Sequence, residues 1–329
     1  MSKAGNISIF VPHVGCPNRC SFCNQNTITG RVLVPTKKDV QNAVSIAAEK
    51  ADYDPKNTEL AFFGGSFTMI DKALMEELLF AGYEYVKKGI VSGIRISTRP
   101  DGINREILSL LRKYGVTAIE LGCQSMDDGV LKKNLRGHTA ADVYNASALI
   151  KEFGFSLGLQ LMTGLYGDTD EKALESLEKI IQINPDTLRI YPTLLLKGTY
   201  LERLYLNGEY KPQCIDESAE LVSKMLLRLE ETPIKVIRVG LHTVEKDGFI
   251  AGPWHPAFGE ICESLVLREK ALKLIKEQEI PKGNINIFVP RGCLSKMIGH
   301  KKSNIEFFSK IGYNCRVYED TIEGIVINL

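Results

Sequence analysis

The sequence predicts an α/β fold, a partial parallel (β/α)6 barrel of the TIM type with a small C-terminal α/β extension. Short runs of β-branched or aromatic residues alternate with longer segments of helical periodicity, which is the pattern of repeated βα units around a parallel sheet. Glycine and polar residues gather where these runs end, as expected where the carboxyl ends of barrel strands meet at one mouth. We therefore place a barrel at residues 1–280 and the extension at residues 281–329.

Six of the seven predicted strands are followed by a loop that carries glycine and polar groups. The strands are predicted at residues 7–11, 60–63, 94–96, 118–121, 157–161, 188–190 and 236–239. Between them, positions 40, 43, 44 and 47 are apolar at helical spacing, and so are positions 174, 177 and 181. Loops of this kind need glycine and polar residues in any case, but their coincidence across six strand exits favours one shared pocket.

The composition is that of an ordinary globular protein. The net charge of +1 gives no global attraction to nucleic acid or to a membrane. No run of about 18 apolar residues occurs, and no apolar signal-peptide core stands at the start, so we expect a cytoplasmic protein with no membrane partner. Because the cytosol keeps thiols reduced, the eight cysteines indicate metal or redox chemistry rather than disulfides.

Three cysteines, Cys16, Cys20 and Cys23, form a C-x3-C-x2-C motif on the loop that leaves the first predicted strand. Three thiolates would leave one iron of a 4Fe-4S cluster without a protein ligand, and an open metal position is typical of a catalytic centre. The alternatives are a zinc site with His13 as the fourth ligand, or three inert thiols. The other five cysteines show no clustering and are predicted to be structural.

The residues around this motif resemble the radical S-adenosylmethionine (SAM) superfamily. Phe22 stands directly before the last cysteine, and Gly64-Gly65-Ser66 follows the second strand. In that superfamily the aromatic ring lies beside the adenine, and the Gly-Gly backbone meets the SAM amino group, because glycine permits a close approach. The resemblance implies a 4Fe-4S cluster whose open iron binds SAM, reductive cleavage to a 5′-deoxyadenosyl radical, and an electron donor such as ferredoxin or flavodoxin.

Residues 7–205 also resemble, more narrowly, the catalytic subunit of the elongator complex, which modifies the wobble uridine of tRNA, and related small bacterial radical SAM proteins. The matching stretches are 64–67, 97–101, 120–125, 136–139, 161–165 and 190–193. The oxygen-independent coproporphyrinogen oxidases share some of these elements more loosely. Two features depart from the elongator pattern: its cysteine spacing is longer, and the sequence after the barrel is too short for its acetyltransferase domain.

The resemblance implies a set of residues that contact SAM. Gln124 and Gln160 would contact its hydroxyls, and Arg136 would pair with its carboxylate, for which a planar guanidinium is suited. Thr98 and Arg99 belong to the same predicted pocket. The alternatives are a solvated arginine at a helix end and glutamines that hydrogen-bond at the edge of the core.

Two residues are predicted to act on the substrate. Tyr191 emerges with Arg189 from a late strand, where it would donate hydrogen or orient the substrate, and a buried tyrosine with a satisfied hydroxyl is the alternative. His255 lies in a turn-rich stretch, residues 252–260, which holds the single tryptophan and is predicted to line the barrel mouth. A structural histidine is the alternative.

The C-terminal extension begins at the turn-forming residues 281–284 and resembles a KH motif, in which a G-x-x-G loop between two helices clamps a nucleic-acid backbone. Lys302 stands in place of the second glycine. Residues 281–316 contain seven Lys or Arg and one acid, Glu306, a local net charge of +6. This favours phosphate binding, with Lys296, Lys301 and Lys302 as the predicted contacts, and a solvated basic face is the alternative.

Three functional hypotheses follow from these patterns. The first is a radical SAM enzyme that acts on RNA, in particular tRNA, and docks it through the C-terminal extension. The second is a radical SAM enzyme for a small molecule or peptide, in which the extension only closes the barrel. The third is a noncatalytic RNA-binding protein with a structural metal.

Overall fold

The computed structural model describes residues 5–12, 16, 19–24, 33–241 and 246–329. The chain divides into two compact units. The first unit comprises residues 1–212 and 233–252, and the second comprises residues 213–232 and 253–329. The predicted extension, residues 281–329, lies in the second unit together with residues 253–280.

A seven-stranded parallel sheet forms the centre of the first unit. Its strands follow one another in chain order from the first edge to the last. They are β1 (Gly5–Val11), β2 (Thr58–Gly64), β3 (Gly93–Thr98), β4 (Val116–Gln124), β5 (Ser156–Thr163), β6 (Thr187–Pro192) and, after a short strand β7 (Leu195–Leu196) outside this sheet, β8 (Lys235–Val239). The predicted partial parallel barrel is confirmed, with β8 as a seventh strand.

Seven helices connect or follow the strands of the first unit in its described part. They are α1 (Lys37–Ala48), α2 (Lys72–Lys87), α3 (Arg105–Lys113), α4 (Asp128–Lys133), α5 (Ala140–Glu152), α6 (Asp170–Ile183) and α7 (Tyr200–Leu206). The start of α5 is fixed by a capping box, because the Thr139 N–H donates to the Asp142 carboxylate at 2.7 Å and the Asp142 N–H donates to Thr139 Oγ1. Helix α6 ends at Asn184, whose left-handed conformation closes the last turn.

The two faces of the sheet differ in polarity. One face carries fully buried apolar side chains such as Leu60, Ile119 and Leu159, which form the core with the helices. On the other face, Gln160 of β5 and Arg189 of β6 both reach Glu120 of β4 by hydrogen bonds. Since side chains alternate between the faces of a strand, apolar and polar residues of the same strand are separated cleanly.

A two-stranded antiparallel ribbon joins β7 to β9 (Phe249–Ala251). Behind it lies a small apolar cluster of Leu195, Leu201, Leu204 and Tyr210. Phe22 packs against this cluster. The segment that carries the cysteine motif is therefore attached to the end of the barrel sequence as well as to its beginning.

The second unit combines helices α8 (Ile215–Leu229), α9 (Phe258–Glu277), α10 (Leu294–Ile298) and α11 (Ser303–Lys310) with strands β10 (Gly283–Pro290), β11 (Tyr313–Asp320) and β12 (Val326–Asn328). Strand β10 is central, parallel to β11 and antiparallel to β12. Its alternate residues Ile285, Ile287 and Val289 are buried with Phe308 and with Ala271 of α9. Over the described ranges, none of the helices combines the length and apolar character that a membrane span requires.

Candidate active site

The cysteine loop is held in place by a buried asparagine that the sequence did not single out. Ser21 lies between two of the cysteines, and its N–H and hydroxyl both bond to Asn134, at 3.0 and 2.6 Å. The Asn134 amide in turn donates to the Tyr166 carbonyl on the loop after β5. On the other side, the Leu201 N–H of α7 donates to the Ser21 carbonyl at 2.8 Å. These bonds fix the loop between two distant parts of the first unit.

The three motif cysteines influence one another's ionisation. Burial raises the pKa of Cys23 to about 12, and the charges of Cys20 and Cys16 add to this effect. Burial also raises the pKa of Cys16, opposed by the Ser66 N–H, which stabilises the thiolate. The positive charge of Arg136 also opposes the rise in pKa, for Cys16 as well as for Cys23. Metal ligands must be thiolates, so the positive charge of a bound metal would supply the stabilisation that these thiols need to lose their protons.

The described residues do not by themselves form a closed metal site, since no three Cys, His, Asp or Glu side chains among them are grouped closely enough. His13, the fourth ligand in the zinc alternative, lies outside the described residues.

Arg136 connects the cysteine loop to the centre of the sheet. It is only 5 % exposed, so the alternative of a solvated arginine is wrong. Its Nη1 lies 3.0 Å from Cys20 Sγ, and its Nη2 donates to the Gly122 carbonyl at the end of β4. Its Nε has no partner in the described structure.

The glycine pair lies where β2 leaves the sheet beside the exit of β1. Gly64 has a φ of +115°, and a side chain there would overlap Phe10 and the Val11 carbonyl. At Gly65, a Cβ would stand 2.7 Å from the Pro12 carbonyl. The pair is therefore required by the close approach of the first two strand exits. The predicted contact of this pair with the SAM amino group stays a prediction.

Hydroxyl groups extend the site from Ser66 to the exit of β3. Ser66 Oγ lies 2.9 Å from Thr98 Oγ1 and accepts a bond from the Arg99 N–H. The Arg99 guanidinium is buried and donates two bonds to Asp101, at 2.9 and 2.8 Å. Asp101 thus orients Arg99. From the sequence alone, Asp101 is notable only as part of the stretch 97–101 that resembles the elongator subunit.

Several buried polar atoms at the strand exits lack a hydrogen-bond partner within the described structure. They are Ser97 Oγ, Arg99 Nη1, Gln124 Oε1, Arg136 Nε, His138 Nδ1, Thr163 Oγ1 and Thr193 Oγ1. Buried polar groups are normally paired, so such a concentration at the carboxyl ends of the strands fits a polar ligand that carries both donors and acceptors. The amino, carboxylate and hydroxyl groups of SAM meet that requirement.

Gln124 and Gln160 lie in different surroundings. Gln124 is buried at the end of β4 with a positive φ of 66° and keeps one unpaired oxygen. Gln160 instead donates to Glu120 at 3.1 Å, which is the core-edge bond considered as its alternative. A contact of either glutamine with SAM stays a prediction.

Tyr191 follows a buried ion-pair network on the polar face of the sheet. Glu120 is 1 % exposed and accepts two bonds from Arg189, at 2.7 and 2.9 Å, and one from Arg95 at 3.3 Å. Burial raises the pKa of Tyr191, and the neighbouring Arg189 and Arg238 oppose this rise. The tyrosine is therefore a neutral hydroxyl at physiological pH. Glu120 and Arg95 could not be recognised as partners from the sequence, because only strand register brings them together.

His255 and the predicted RNA contacts belong to the second unit. The His255 ring packs edge to face on His300 at 5.0 Å, and its Nδ1 accepts a bond from the Ala257 N–H. Lys296 forms an ion pair with Glu263 at 2.5 Å, whereas Lys301 and Lys302 are exposed. The predicted placement of His255 at the barrel mouth and the predicted roles of all these residues stay predictions.

Asp168 is a titratable group that the sequence analysis did not identify. It lies on the loop after β5, and burial raises its pKa to about 7, assisted by the nearby Asp127. The Thr169 N–H, which donates to Asp168 Oδ1 at 3.0 Å, limits this rise.

The comparisons with known proteins agree with this geometry. The family model described as the Radical SAM superfamily matches residues 10–180, and the model of the Radical_SAM C-terminal domain matches residues 185–266. The chain therefore belongs to the Radical SAM superfamily, whose members are enzymes that use a 4Fe-4S cluster and SAM. This membership supports the two enzyme hypotheses over the noncatalytic one.

Individual relatives point to the elongator type. The chain is 26% identical over 240 residues to a tRNA uridine(34) acetyltransferase of Dehalococcoides mccartyi, covering 63% of this chain and 52% of the relative. It is 30% identical over 188 residues to human Elongator complex protein 3, covering 56% of this chain and 33% of the relative. The chain thus spans about half or less of the length of these relatives. The predicted resemblance to the elongator subunit is confirmed.

Solved structures share the fold. The archaeal Methanocaldococcus infernus Elp3 aligns with a TM-score of 0.63 and 20% identity, covering 86% of this chain and 66% of that one. Streptococcus suis SuiB bound to S-adenosylmethionine aligns with a TM-score of 0.51 and 15% identity, covering 71% of this chain and 51% of that one. The comparisons do not confirm the KH resemblance.

We expect anaerobically reconstituted protein to hold ~4 iron atoms per chain, as a 4Fe-4S cluster requires, and Cys16→Ala, Cys20→Ala and Cys23→Ala each to lose most of them. Iron and sulfide analysis with visible absorption spectra measures this. Cys214→Ser is the matched control, because Cys214 is an exposed helix cap that serine replaces well. Protein that binds only zinc, or a triple alanine variant that keeps its iron, would contradict the prediction.

Asp168→Asn should stabilise the protein in a pH-dependent manner. The folded state raises the pKa of this carboxyl from 3.8 to about 7, so the stability of the wild type falls as the pH rises between these values. The variant should gain about 2 kcal/mol at pH 8, allowing for partial solvent screening, and less at pH 4.5. Urea unfolding at both pH values measures the gain, with exposed Asp52→Asn as the control. A gain that is equal at the two pH values would refute the assignment.

Proposed function

We propose that this chain is a radical SAM enzyme that modifies RNA, in particular tRNA, in the cytoplasm. When bound, the 4Fe-4S cluster and SAM supply a 5′-deoxyadenosyl radical after one electron arrives from a donor such as ferredoxin or flavodoxin. The observation that carries the proposal is the concentration of orphaned buried polar atoms at the carboxyl ends of the strands, where Arg136 contacts Cys20 of the cysteine loop. The relatives named tRNA uridine(34) acetyltransferase support RNA as the substrate.

The protein's own residues bind and orient the cofactors in this proposal. Cys16, Cys20 and Cys23 hold the cluster, and the guanidinium of Arg136 both neutralises thiolate charge and pairs with the SAM carboxylate. The backbone at Gly64 and Gly65 meets the SAM amino group. The remaining proposed SAM contacts are Phe22, Ser66, Thr98, Arg99, Gln124 and Gln160.

Tyr191 acts on the substrate in this proposal, from the polar face of the sheet. Its neutral hydroxyl, held beside Arg189, donates hydrogen or orients the substrate. Acetyl transfer is not part of the proposal, because the match covers only about half of the acetyltransferase relatives.

The loop of residues 299–302 in the second unit supports RNA docking. It lies between α10 and α11, as a nucleic-acid clamp of the KH type requires. Lys302 replaces the second glycine of that motif but adopts the glycine-like conformation, with a φ of 65°, and Lys301 has a φ of 52°. Two such residues in succession cost about 1 kcal/mol each, and strain of this kind gathers at functional sites. We propose that Lys296, Lys301 and Lys302 contact RNA phosphates, and that His255 has a substrate role.

The experiment that tests the proposed function has two parts. Reconstituted protein should release 5′-deoxyadenosine from SAM with a reductant, and Cys20→Ala should abolish the release. Nucleoside profiling of total tRNA should then show one modified nucleoside that disappears when the gene is deleted and returns with the wild-type gene. Deoxyadenosine release with an unchanged tRNA profile would sink the RNA proposal in favour of a small-molecule or peptide substrate. No release despite full cluster loading would sink the enzyme proposal itself.

The double substitution Lys301→Gln and Lys302→Gln should weaken binding of single-stranded RNA regardless of its sequence. Loss of two phosphate contacts should reduce the slope of log K against log salt by about 1.5. Fluorescence anisotropy over a salt series measures this slope. The matched control is Lys273→Gln with Lys276→Gln, two exposed lysines on α9. An unchanged slope, or an equal change in the control, would refute a docking role for the loop.

A further inference from the structure

A row of alternating charges crosses the polar face of the sheet. Arg95 of β3 donates from Nε and Nη2 to Glu59 of β2, both at 2.7 Å, and from Nη1 to Glu120 of β4. Arg189 of β6 donates two bonds to the same Glu120. The two arginines and the two glutamates balance one another, so this part of the row carries no net charge.

Strand β5 lies between Glu120 and Arg189, and a glycine lets the row cross it. A Cβ at Gly158 would stand 2.9 Å from Glu120 Cγ and 2.8 Å from Thr187 Oγ1. Because the two bonds to Glu120 hold the Arg189 guanidinium, its position is fixed before any ligand arrives.

The next strand adds a positive charge, that of Arg238, which no carboxylate in the described part of the chain balances. The strand register pairs Arg189 of β6 with Arg238 of β8, and like charges directly opposite on neighbouring strands are destabilising. Arg238 Nε donates to the Gly240 carbonyl at 3.0 Å. In the described ranges, no Asp or Glu lies within 4.0 Å of the Arg238 guanidinium.

Tyr191 completes this group. It lies two residues after Arg189, on the same face of β6, and is half-buried. The positive charges of Arg189 and Arg238 both oppose the rise in the pKa of the Tyr191 hydroxyl that burial causes. The group thus consists of a fixed guanidinium, a hydroxyl and a second guanidinium that has no carboxylate partner among the described residues.

We infer that Arg238, with Tyr191 and Arg189, forms a binding site for an oxyanion of the substrate, either a phosphate or a carboxylate. Guanidinium groups match the geometry of both anions, and a bound oxyanion would remove the repulsion between the two arginines. That the anion belongs to the substrate rests on the proposed function, whereas the anion site itself does not. Phosphate is the group a nucleotide substrate would present, and carboxylate the group a small acid would present.

Anion-dependent thermal stability tests this site on the full chain, reconstituted anaerobically. Phosphate, at an ionic strength matched with sodium chloride, should raise the Tm of the wild type by about 2 °C, because a ligand that binds only the folded state stabilises it. Arg238→Gln should lose this shift, and its Tm in chloride alone should not fall below that of the wild type. Arg238→Lys, which keeps the charge, should retain at least half of the shift.

Further arms identify the source of the anion and control for other basic sites. The Tm is measured with uridine 5′-monophosphate against uridine, and with acetate against chloride. A Tm shift with either anion supports the site, and the anion that gives the shift shows whether the site takes a phosphate or a carboxylate. Arg105→Gln, which removes an exposed arginine, should keep the full shift. No shift of the wild type with either anion, or an undiminished shift in Arg238→Gln, would overturn the inference. The Tm measurements need neither SAM cleavage nor tRNA, so failure of the anion site can be distinguished from failure of the proposed function.

Discussion

The contact between the Arg136 guanidinium and the Cys20 thiol is the interaction on which the rest of the site depends. It joins the loop that leaves the first strand to the carbonyl at the end of the fourth, across the middle of the sheet. Because the charge of the same side chain opposes the rise that burial causes in the pKa of both Cys16 and Cys23, it links the placement of the loop to the ionisation of its thiols. A lysine could not span these contacts, since only a planar guanidinium presents several donors in fixed directions.

Around that contact, the first unit separates two kinds of chemistry along its strands. The carboxyl ends hold hydroxyl, amide and guanidinium groups with unpaired atoms. The middle of the same strands holds the fully paired row of Glu59, Arg95, Glu120 and Arg189. A paired network of buried charges is rigid, so it keeps the strands in fixed positions and thereby the groups at their ends whose atoms are unpaired.

The sequence was sufficient for features that depend on local spacing. The cysteine motif, the glycine pair and the alternation of strands and helices are each readable within a few residues, and the strands are found where they were predicted. Contacts made across the sheet could not be read in this way. Glu120 meets Arg189 only because β4, β5 and β6 align in one register, and Asn134 reaches Ser21 over more than a hundred residues. The conformation of Lys302 was hidden for another reason, since lysine rarely adopts the backbone angles of the glycine it replaces.

The course of the chain between the two units has a genetic consequence. Residues 213–232, which contain α8, belong to the second unit, although residues on either side of them belong to the first. The chain therefore passes from one unit to the other three times. A single recombination event after the barrel strands would carry away α9 and the small sheet while α8 stayed behind without its packing partner. Exchange of the whole second unit between related genes, with residues 233–252 kept, therefore requires three breakpoints, or a compensating change in α8.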